Sequence, residues 1–329
     1  MPQDRTPKGA LDRVLTIEVM RVTERAAVSA ARMRGRGDER AADQAAVDAM
    51  RRELNRLAIE GIVVIGEGER DEAPMLYIGE AVGAGGQRVD IALDPLEGTT
   101  LCAKDMPNSL ATLALASGGS LLNAPDVYME KVAVGPGFPD GFIDLDMPAD
   151  EMIRRVAKEK GVSEREVTAC VLDRPRHAEL IETIRKTGAA IRLIGDGDIQ
   201  GIIHTTEPME TGIDIYIGSG GAPEGVLASA ALRCTGGQMQ GRLILKTDEH
   251  KARATRMGIT DYERIYTHED MAKGDVYFSA TGVTDGALCQ GVKFYPGYIT
   301  TETIVMRSST GTVRTIKAKH IDYSKFLLD

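Results

Sequence analysis

The segment Val89–Thr99, with the sequence VDIALDPLEGT, carries the clearest indication of the fold. Its first five residues form a short, mostly apolar strand, and Asp94 and Glu97 follow at the end of that strand. Because Pro95 cannot donate a hydrogen bond to a strand ladder, we expect the strand to stop there and the turn to fold Glu97 back beside Asp94. Two carboxylates about 4 Å apart repel by about 4 kcal/mol at an effective dielectric constant near 20. A hard divalent cation would offset that repulsion, and all-oxygen ligands favour Mg²⁺ or Mn²⁺ over Zn²⁺.

Two further segments place an acid beside glycine, and each has a simpler interpretation. Glu67 lies between two glycines after the apolar run 62–65, and Glu224 lies in the segment Gly220–Gly225, with the sequence GGAPEG. In α/β sheets, ligand sites are built at the carboxyl ends of strands. A Gly-Glu-Gly turn is nevertheless usually just exposed, and Pro223 followed by Glu224 is typical of a helix start whose acid complements the helix dipole. The first segment, in which a strand-end acid, a proline, a second acid and a threonine coincide, is the more specific.

The composition excludes some classes of function. The chain has 329 residues, of which 43% are hydrophobic, and a formal net charge of −9, which argues against nucleic acid as a partner. That charge suits an enzyme acting on phosphate esters only if part of it binds metal ions. No apolar run is long enough to span a membrane. The four cysteines form no CxxC pair, which indicates free thiols in a reducing compartment, so we expect a cytoplasmic protein. They are Cys102, Cys170, Cys234 and Cys289.

The distribution of apolar residues predicts an α/β protein. Helical spacing is found over residues 12–34 and 43–57, and a helix should follow Pro223 and reach about Arg233. Strands are predicted at 62–65, 89–93 and around 111–116. Further along, strands at 167–172, 190–194 and 213–217 alternate with helices at 177–186 and 199–204, which predicts a mainly parallel sheet with helices on its faces.

The C-terminal part of the chain shows a different pattern. Residues 301–307 and 313–318 flank a Ser-Ser-Thr-Gly turn and should form an antiparallel hairpin. We place a boundary near residue 150. It separates an N-terminal metal-binding subdomain, residues 1–150, from an α/β substrate subdomain, residues 151–329, that includes the hairpin.

The strand-end acids resemble the core signature of the lithium-sensitive, metal-dependent phosphatases, which include inositol monophosphatases and fructose bisphosphatases. Longer strings are similar to the bacterial class II fructose-1,6-bisphosphatases, and the resemblance runs from about Leu15 to the hairpin. These strings are Gly35–Asp38 with Ala42 and Asp43, Ile65–Glu69 with Asp71–Tyr77, Leu122–Asp126 with Tyr128–Lys131, and Gly220–Gly225. The region 245–257 departs from the pattern, since some members carry a longer charged helical insert there. Any oligomer contact made in that region is therefore in doubt.

The resemblance implies a fold, a cofactor and a set of site residues. The fold would alternate helical and sheet layers, with the metal site between two subdomains. Two or more Mn²⁺ or Mg²⁺ ions would be held by Asp43, Glu67, Asp94, Glu97 and Glu224. Substrate contacts would fall on Glu97, Gly98, Thr99, Tyr128, Arg174, Pro175, Arg176, Asp196, Gly197, Asp198 and Gly221.

The implied reaction is hydrolysis of the 1-phosphate of fructose 1,6-bisphosphate by a metal-activated water. Glu67, Asp94 and Thr99 are the candidate catalytic residues, and the Thr99 hydroxyl would orient the water; in the simpler interpretation Thr99 is an N-cap. Arg174 and Arg176 can offer bidentate forks to the 6-phosphate, although strand-end arginines are usually solvated.

The other acids also have simpler interpretations. Asp196 and Asp198 can accept from sugar hydroxyls, or can simply form a turn. Asp43 could be a helix cap. The five histidines show no ligand spacing.

Several alternatives remain open. Sedoheptulose-1,7-bisphosphatase activity, alone or together with the fructose activity, is the nearest, because the two sugars share the reacting end. An inositol monophosphatase would not need the pair Arg174 and Arg176. A non-catalytic sensor of metal or sugar phosphate is a third possibility, and retention of all the acids together with Thr99 argues against it. We expect the protein to bind a small sugar bisphosphate and to assemble with further copies of itself as a dimer or tetramer. We expect it not to associate with a membrane.

Overall fold

The computed structural model describes residues 11–68 and 75–326. The helices within these ranges are α1 Leu15–Ala31, α2 Glu39–Leu54, α3 Thr99–Ala103, α4 Ala149–Lys160, α5 Ala178–Thr187, α6 Asp198–Ile203, α7 Pro208–Thr211, α8 Ala222–Thr235, α9 Asp248–Arg256 and α10 His268–Met271. The strands are β1 Ile59–Ile65, β2 Ala81–Val82, β3 Gln87–Glu97, β4 Leu110–Ser117, β5 Tyr128–Val134, β6 Thr168–Leu172, β7 Ala190–Ile194, β8 Ile215–Gly221, β9 Gln238–Leu243, β10 Tyr266–Thr267, β11 Val276–Gly282, β12 Lys293–Tyr295, β13 Tyr298–Arg307 and β14 Thr312–His320.

The strands form two mixed sheets. The first has the order β12-β13-β11-β4-β3-β1-β2, with β14 paired to β13, and its one parallel pair in the described part of the chain is β1 with β3. The second has the order β10-β9-β5-β8-β6-β7. In this sheet β6 is parallel to both β7 and β8, whereas β5 is antiparallel to β8 and β9.

Helices cover both faces of each sheet, so helical and sheet layers alternate. Helices α1 and α2 pack on the outer face of the first sheet, α8 packs between the two sheets, and α4 and α5 cover the outer face of the second sheet. Strand β4 is mostly apolar because helices cover both of its faces. Its Leu113 and Leu115 face the α1–α2 side, while Leu110 and Ala114 face α8. The layered α/β fold predicted from the sequence is confirmed.

Most predicted elements are present, and some expectations were wrong. The three strands predicted at 167–172, 190–194 and 213–217 are mutually parallel, and the C-terminal hairpin is antiparallel, as β13 and β14. The sheet that contains the parallel strands is not mainly parallel, however, because the sequence analysis missed β5, which pairs antiparallel to β8, and β9, which pairs antiparallel to β5. Strand β11 was also missed.

Sheet membership does not follow chain order. Strand β5 belongs to the second sheet, and the C-terminal hairpin belongs to the first sheet, which also contains β1 to β4 from the N-terminal third of the chain. The boundary near residue 150 stays a prediction. No helix in the described ranges has both the length and the apolar character that crossing a bilayer requires.

Candidate active site

Strand β3 continues through Pro95, contrary to the sequence prediction that it would stop there. Asp94 pairs with Thr112 of β4 and Glu97 pairs with Leu110, so the register shifts by one residue between the two acids. The shift is a β-bulge, which lets an interior strand accommodate a proline that cannot donate to the ladder. The Leu96 N–H donates to Asp94 Oδ1 at 3.0 Å. The bulge, not a turn, brings the two carboxylates together.

Three carboxylates form the centre of the site. Ligand oxygens of Asp94, Glu97 and Glu224 all lie within 4.8 Å of one another, and Glu97 is only 6% exposed. Glu224 enters from the first turn of α8, after Pro223. A Cβ at Gly221 would lie 1.8 Å from Glu224 Oε2, so this position admits only glycine while the carboxylate points inward. The segment that predicted a helix start therefore also supplies a buried acid.

Glu67 and Asp43 lie at the edge of this cluster. Both line a cavity of about 340 Å³ together with Asp94, Glu97 and Glu224. Asp43 is in the second turn of α2, whose N-cap is Asp38: the Asp38 carboxylate accepts from the Ala41 N–H at 2.9 Å. The interpretation of Asp43 as a helix cap is therefore wrong, and α2 begins four residues earlier than predicted. The neighbouring residues 69–74 lie outside the described ranges.

Burial raises the pKa values of these acids. It raises the pKa of Glu67 to about 9, with help from Asp43 and Asp94, and that of Glu224 to about 8, with help from Asp198. Burial likewise raises the pKa of Asp94 to about 6 and that of Glu97 well above its ordinary value. These directions describe the protein without metal ions, where buried carboxylates face one another.

A divalent cation fits this arrangement. Glu224 Oε2 is buried, and no hydrogen-bond donor among the residues described reaches it. A buried acceptor without a donor costs free energy, on the order of 1–3 kcal/mol. The donor set is all oxygen, as Mg²⁺ and Mn²⁺ prefer, and the cluster could therefore hold metal ions.

Thr99 lies beside the acids, at the start of a short helix. Gly98, with a φ of 76°, is the N-cap of α3, and Thr99 is its first residue. The interpretation of Thr99 as the N-cap is therefore wrong. Gly98 and Thr99 line the same cavity as Glu67 and Asp94. Thr99 therefore faces the cavity that the carboxylates line.

A second cavity, of about 460 Å³, adjoins the first one, and Glu97, Glu224, Asp126 and Asp196 line both. Seven of the predicted substrate residues are found in its wall: Glu97, Tyr128, Arg174, Arg176, Asp196, Asp198 and Gly221. Pro175 and Gly197 are not in the wall. Pro175 begins the turn that separates the two arginines, and Gly197 is the N-cap that places Asp198 first in α6.

The two arginines are held differently. Arg174 lies 3.7 Å from Asp196, a long ion pair between half-exposed groups. Arg176 donates to the Ser219 hydroxyl at 3.0 Å and to the Ser219 carbonyl at 2.7 Å, and its guanidinium lies 4.6 Å from the centre of the Tyr128 ring. Within the described ranges no carboxylate forms an ion pair with Arg176. The predicted anion pocket thus contains one arginine that is free to accept an anionic partner.

Three residues of the site were missed by the sequence analysis. Asp126 lines both cavities, and His250, which was set aside with the other histidines, lines the larger one. Lys131 is buried and pairs with Asp198. Lys131 and Asp126 fall in strings that the resemblance covers, so that signal existed, whereas nothing in the sequence distinguished His250 from the other histidines.

The fold and the site together define a class: a layered α/β protein with a buried carboxylate centre next to an arginine-containing pocket. Residues 13–320 match the family described as bacterial fructose-1,6-bisphosphatase, glpX-encoded, and the chain belongs to that family.

Its relatives carry a double name. A protein of Synechococcus sp. (strain JA-3-3Ab) named D-fructose 1,6-bisphosphatase class 2/sedoheptulose 1,7-bisphosphatase is 42% identical over 94% of this chain and 96% of its own length. One of the same name from Prochlorococcus marinus (strain MIT 9303) is 44% identical over 94% and 97%. A solved structure, the extragenic suppressor protein suhB from Bartonella henselae, is 17% identical over 59% of this chain and 74% of its own, with a TM-score of 0.34, too low to carry an argument.

Proposed function

We propose that the two adjoining cavities bind the two ends of one sugar bisphosphate, and that the protein hydrolyses fructose 1,6-bisphosphate to fructose 6-phosphate. The observation that carries this proposal is the shared wall: Glu97 and Glu224 face both the carboxylate cluster and the pocket of Arg174 and Arg176. A substrate with one phosphate at each end matches such a pair of sites. Membership of the family supports the same substrate.

The reacting phosphate would lie at the carboxylates. We propose that Asp43, Glu67, Asp94, Glu97 and Glu224 hold two or more Mn²⁺ or Mg²⁺ ions, since these acids line one cavity and lack basic partners at ion-pair distance among the described residues. Such ions, when bound, neutralise phosphoryl oxygens and lower the pKa of a water molecule. The protein's own part is to keep five carboxylates in the wall of one cavity, three of them within 4.8 Å of one another, which preorganises the site before substrate arrives.

Thr99 would direct the water at phosphorus. As the first residue of α3 it has a backbone N–H without an intrahelical acceptor, which can meet a phosphate oxygen, and its hydroxyl can accept or donate in the cavity that Asp94 also lines. A hydroxyl that orients a nucleophile acts in the transition state, and Thr99 would therefore affect turnover more than binding.

The distal phosphate would lie at the arginines. Arg176 is anchored to Ser219 through one nitrogen edge and carries no ion pair, and Arg174 could exchange its long contact with Asp196 for phosphate. Charge-assisted contacts from planar guanidinium groups suit phosphate oxygens. Asp196 and Asp198 would accept from sugar hydroxyls, with Tyr128 closing the wall.

Sedoheptulose 1,7-bisphosphate is a second candidate substrate. The relatives' names include this activity, and the sugar presents the same reacting end with one more carbon before the distal phosphate. An inositol monophosphatase activity would leave the arginine pocket unused. A homo-oligomer, as dimer or tetramer, and a cytoplasmic location stay proposals, the latter supported by four free, buried cysteines.

The test is phosphate release across a panel of sugar phosphates with Mg²⁺ or Mn²⁺. We expect fructose 1,6-bisphosphate to be hydrolysed to fructose 6-phosphate, detected with a coupled isomerase assay, and fructose 1-phosphate to react at least roughly 10-fold more slowly. Equal rates for inositol 1-phosphate and the bisphosphate, or release of fructose 1-phosphate as product, would contradict the proposal. The ratio of the two bisphosphates decides between single and dual specificity.

A further inference from the structure

A buried cation lies beside the carboxylate cluster. Lys131, in the middle of β5, is 1% exposed, and its ammonium donates to Asp198 Oδ2. Asp198 is itself only 5% exposed. Lysine is almost never fully buried unless it is paired, since desolvating the ammonium is costly. Asp198 also lies near enough to Glu97 and Glu224 to raise their pKa values. The lysine is thus a fixed positive charge that pairs with Asp198 and is close enough to Glu224 to act against the rise of its pKa.

The backbone leaves room for this pair at two glycines. A Cβ at Gly220 of β8 would lie 1.9 Å from Asp198 Oδ2 and 3.3 Å from Lys131 Nζ, so no other residue fits there while the pair is formed. At Gly225 of α8 a Cβ would touch Lys131 Cε at 3.4 Å. The Gly220–Gly225 segment therefore contributes one acid, Glu224, to the carboxylate cluster and also provides the space in which Lys131 meets Asp198.

We propose that Lys131 is a positioning residue that holds the Asp198 carboxylate toward the sugar-binding cavity and keeps it out of the neighbouring metal-binding set. Asp198 lines the 460 Å³ cavity and does not line the 340 Å³ cavity of the metal cluster. With Oδ2 engaged by the ammonium, Oδ1 remains to accept from a sugar hydroxyl. Without the lysine, a further carboxylate would be free to compete for the metal ions. The inference rests on the proposed function, because it assigns Asp198 to the sugar.

A purely structural ion pair is the alternative, and the chain contains a matched example. Arg307 and Asp275 are 3.0 Å apart, with side chains 7% and 6% exposed, and they join β13 to the segment before β11. Neither residue lines the two cavities of the site. Replacing Arg307 should therefore report what the loss of a buried cation costs in stability alone.

The experiment compares Lys131→Met, Asp198→Asn, the double variant and Arg307→Met in the full-length protein. KM and kcat are measured with fructose 1,6-bisphosphate, Mn²⁺ binding is measured without substrate, and thermal unfolding is followed for all. We expect Lys131→Met to raise KM by roughly 10-fold or more, with kcat within about threefold and Mn²⁺ bound more tightly or in greater number than in the parent. The double variant should have the KM of Asp198→Asn alone. Arg307→Met should lower the melting temperature and leave KM unchanged.

Two results would overturn the inference: an unchanged KM in Lys131→Met, or KM effects of the two single variants that multiply in the double one. If Lys131→Met does not fold, the double variant, in which both partners are neutral, is compared with Asp198→Asn. A KM of the double variant above that of Asp198→Asn would also overturn the inference. If the parent hydrolyses no bisphosphate, the proposed function is wrong, and the role of Lys131 is then tested by Mn²⁺ binding alone. Lys131→Met must then bind Mn²⁺ more tightly or in greater number than the parent, and the gain must vanish with Asp198→Asn; no change refutes the positioning role.

Discussion

The two cavities of the site share a wall but balance charge in opposite ways. In the 340 Å³ cavity Glu67, Asp94 and Glu97 face one another, and no arginine or lysine of the described residues forms an ion pair with them. In the 460 Å³ cavity Arg174 already contacts Asp196, and Arg176 is already anchored to Ser219. The first region is electrostatically incomplete by itself, whereas the second already contains its own cations: Arg174 must give up its contact with Asp196 to bind an anion, and Arg176 has no ion pair among the described residues to give up.

Asp275, an acid outside the site, shows that burial alone does not raise the pKa of a carboxylate in this protein. The Asp275 side chain is only 6% exposed, yet its pKa is lowered, because hydrogen bonds from Arg307, Ser309 and the Leu11 backbone together outweigh desolvation. Glu97, without such a cation, has its pKa raised. The protein thus has the means to neutralise a buried carboxylate with its own side chains and does not use them at the cluster. This contrast favours an external cation there.

Removal of metal should have the largest effect. Because the cluster has only oxygen ligands, exhaustive chelation should abolish phosphate release from fructose 1,6-bisphosphate, and added Mn²⁺ or Mg²⁺ should restore it. Phosphate release is measured before chelation, after it and after metal is returned. Undiminished turnover in protein shown to be metal-free by elemental analysis would remove the distinction between the two cavities.

Replacement of Thr99 should be next in size. If its hydroxyl orients the attacking water, Thr99→Ala should lower kcat by roughly 10²-fold or more while KM changes little. Thr100→Ala is the matched control, since Thr100 follows it in α3 and lines neither cavity. A raised KM with kcat intact would instead assign Thr99 to substrate binding, and equal losses in both variants would point to damage to α3.

The proximity of Asp94 and Glu97 could be predicted from the sequence, and the reason is topological. Asp94 and Glu97 follow an apolar run, and such runs end where ligand sites form, so their proximity could be expected. How the backbone brings the two side chains together could not be predicted, because Pro95 is compatible with both a turn and a bulge. Only the pairing of β3 between β1 and β4 selects the bulge. Similarly, Asp43 could be judged a cap until Asp38 was found capping α2.

The ion pair between Lys131 and Asp198 could not be predicted from the sequence. Lys131 lies 67 positions from Asp198, and only the packing of α6 and β5 brings the two together. Strand β5, with charged residues at Glu130 and Lys131, does not read as a central strand, and it was missed entirely. The parallel strands of the second sheet could be predicted from local alternation, whereas its antiparallel half depends on pairings that no local pattern encodes.

Replacement of Arg176 should have a moderate effect that depends on the substrate. A charge-assisted bidentate contact contributes about 1.5–3 kcal/mol, so Arg176→Ala should lower kcat/KM for fructose 1,6-bisphosphate by roughly 10- to 150-fold. Fructose 1-phosphate, which has no distal phosphate, should lose almost nothing. Arg185→Ala, an exposed arginine on α5, serves as the control. Equal losses for both substrates would place Arg176 at the reacting phosphate or in a structural role.

The smallest expected effect is a pH dependence of stability that only the metal-free protein should show. Glu67 and Glu224 have pKa values of about 9 and about 8 in the fold, well above the 4.5 of an unperturbed glutamate. Their stabilising contribution is complete below about pH 4.5 and is lost as pH rises through the folded pKa, because the unfolded chain gives up these protons first. Between pH 7 and 8.5 the metal-free melting temperature should therefore fall.

This pH window separates the glutamates of the cluster, including Glu97, whose pKa is also raised well above its ordinary value, from the buried histidines and cysteines. His177, His204 and His268 have lowered pKa values and act in the opposite sense, but only as pH falls below about 6.5, and the buried cysteines, whose pKa values are raised from 9.0, matter only above the window. The fall should be a few degrees, since 1 kcal/mol moves the melting temperature by about 2–4 °C in proteins of 150–250 residues. Saturating Mg²⁺ should abolish it, because a cation keeps the carboxylates ionised in the fold, and Glu67→Gln should reduce it without metal. A slope that is the same with Mg²⁺, without it and in Glu67→Gln would mean that these carboxylates do not bind the cation and that the contrast between the two cavities is wrong.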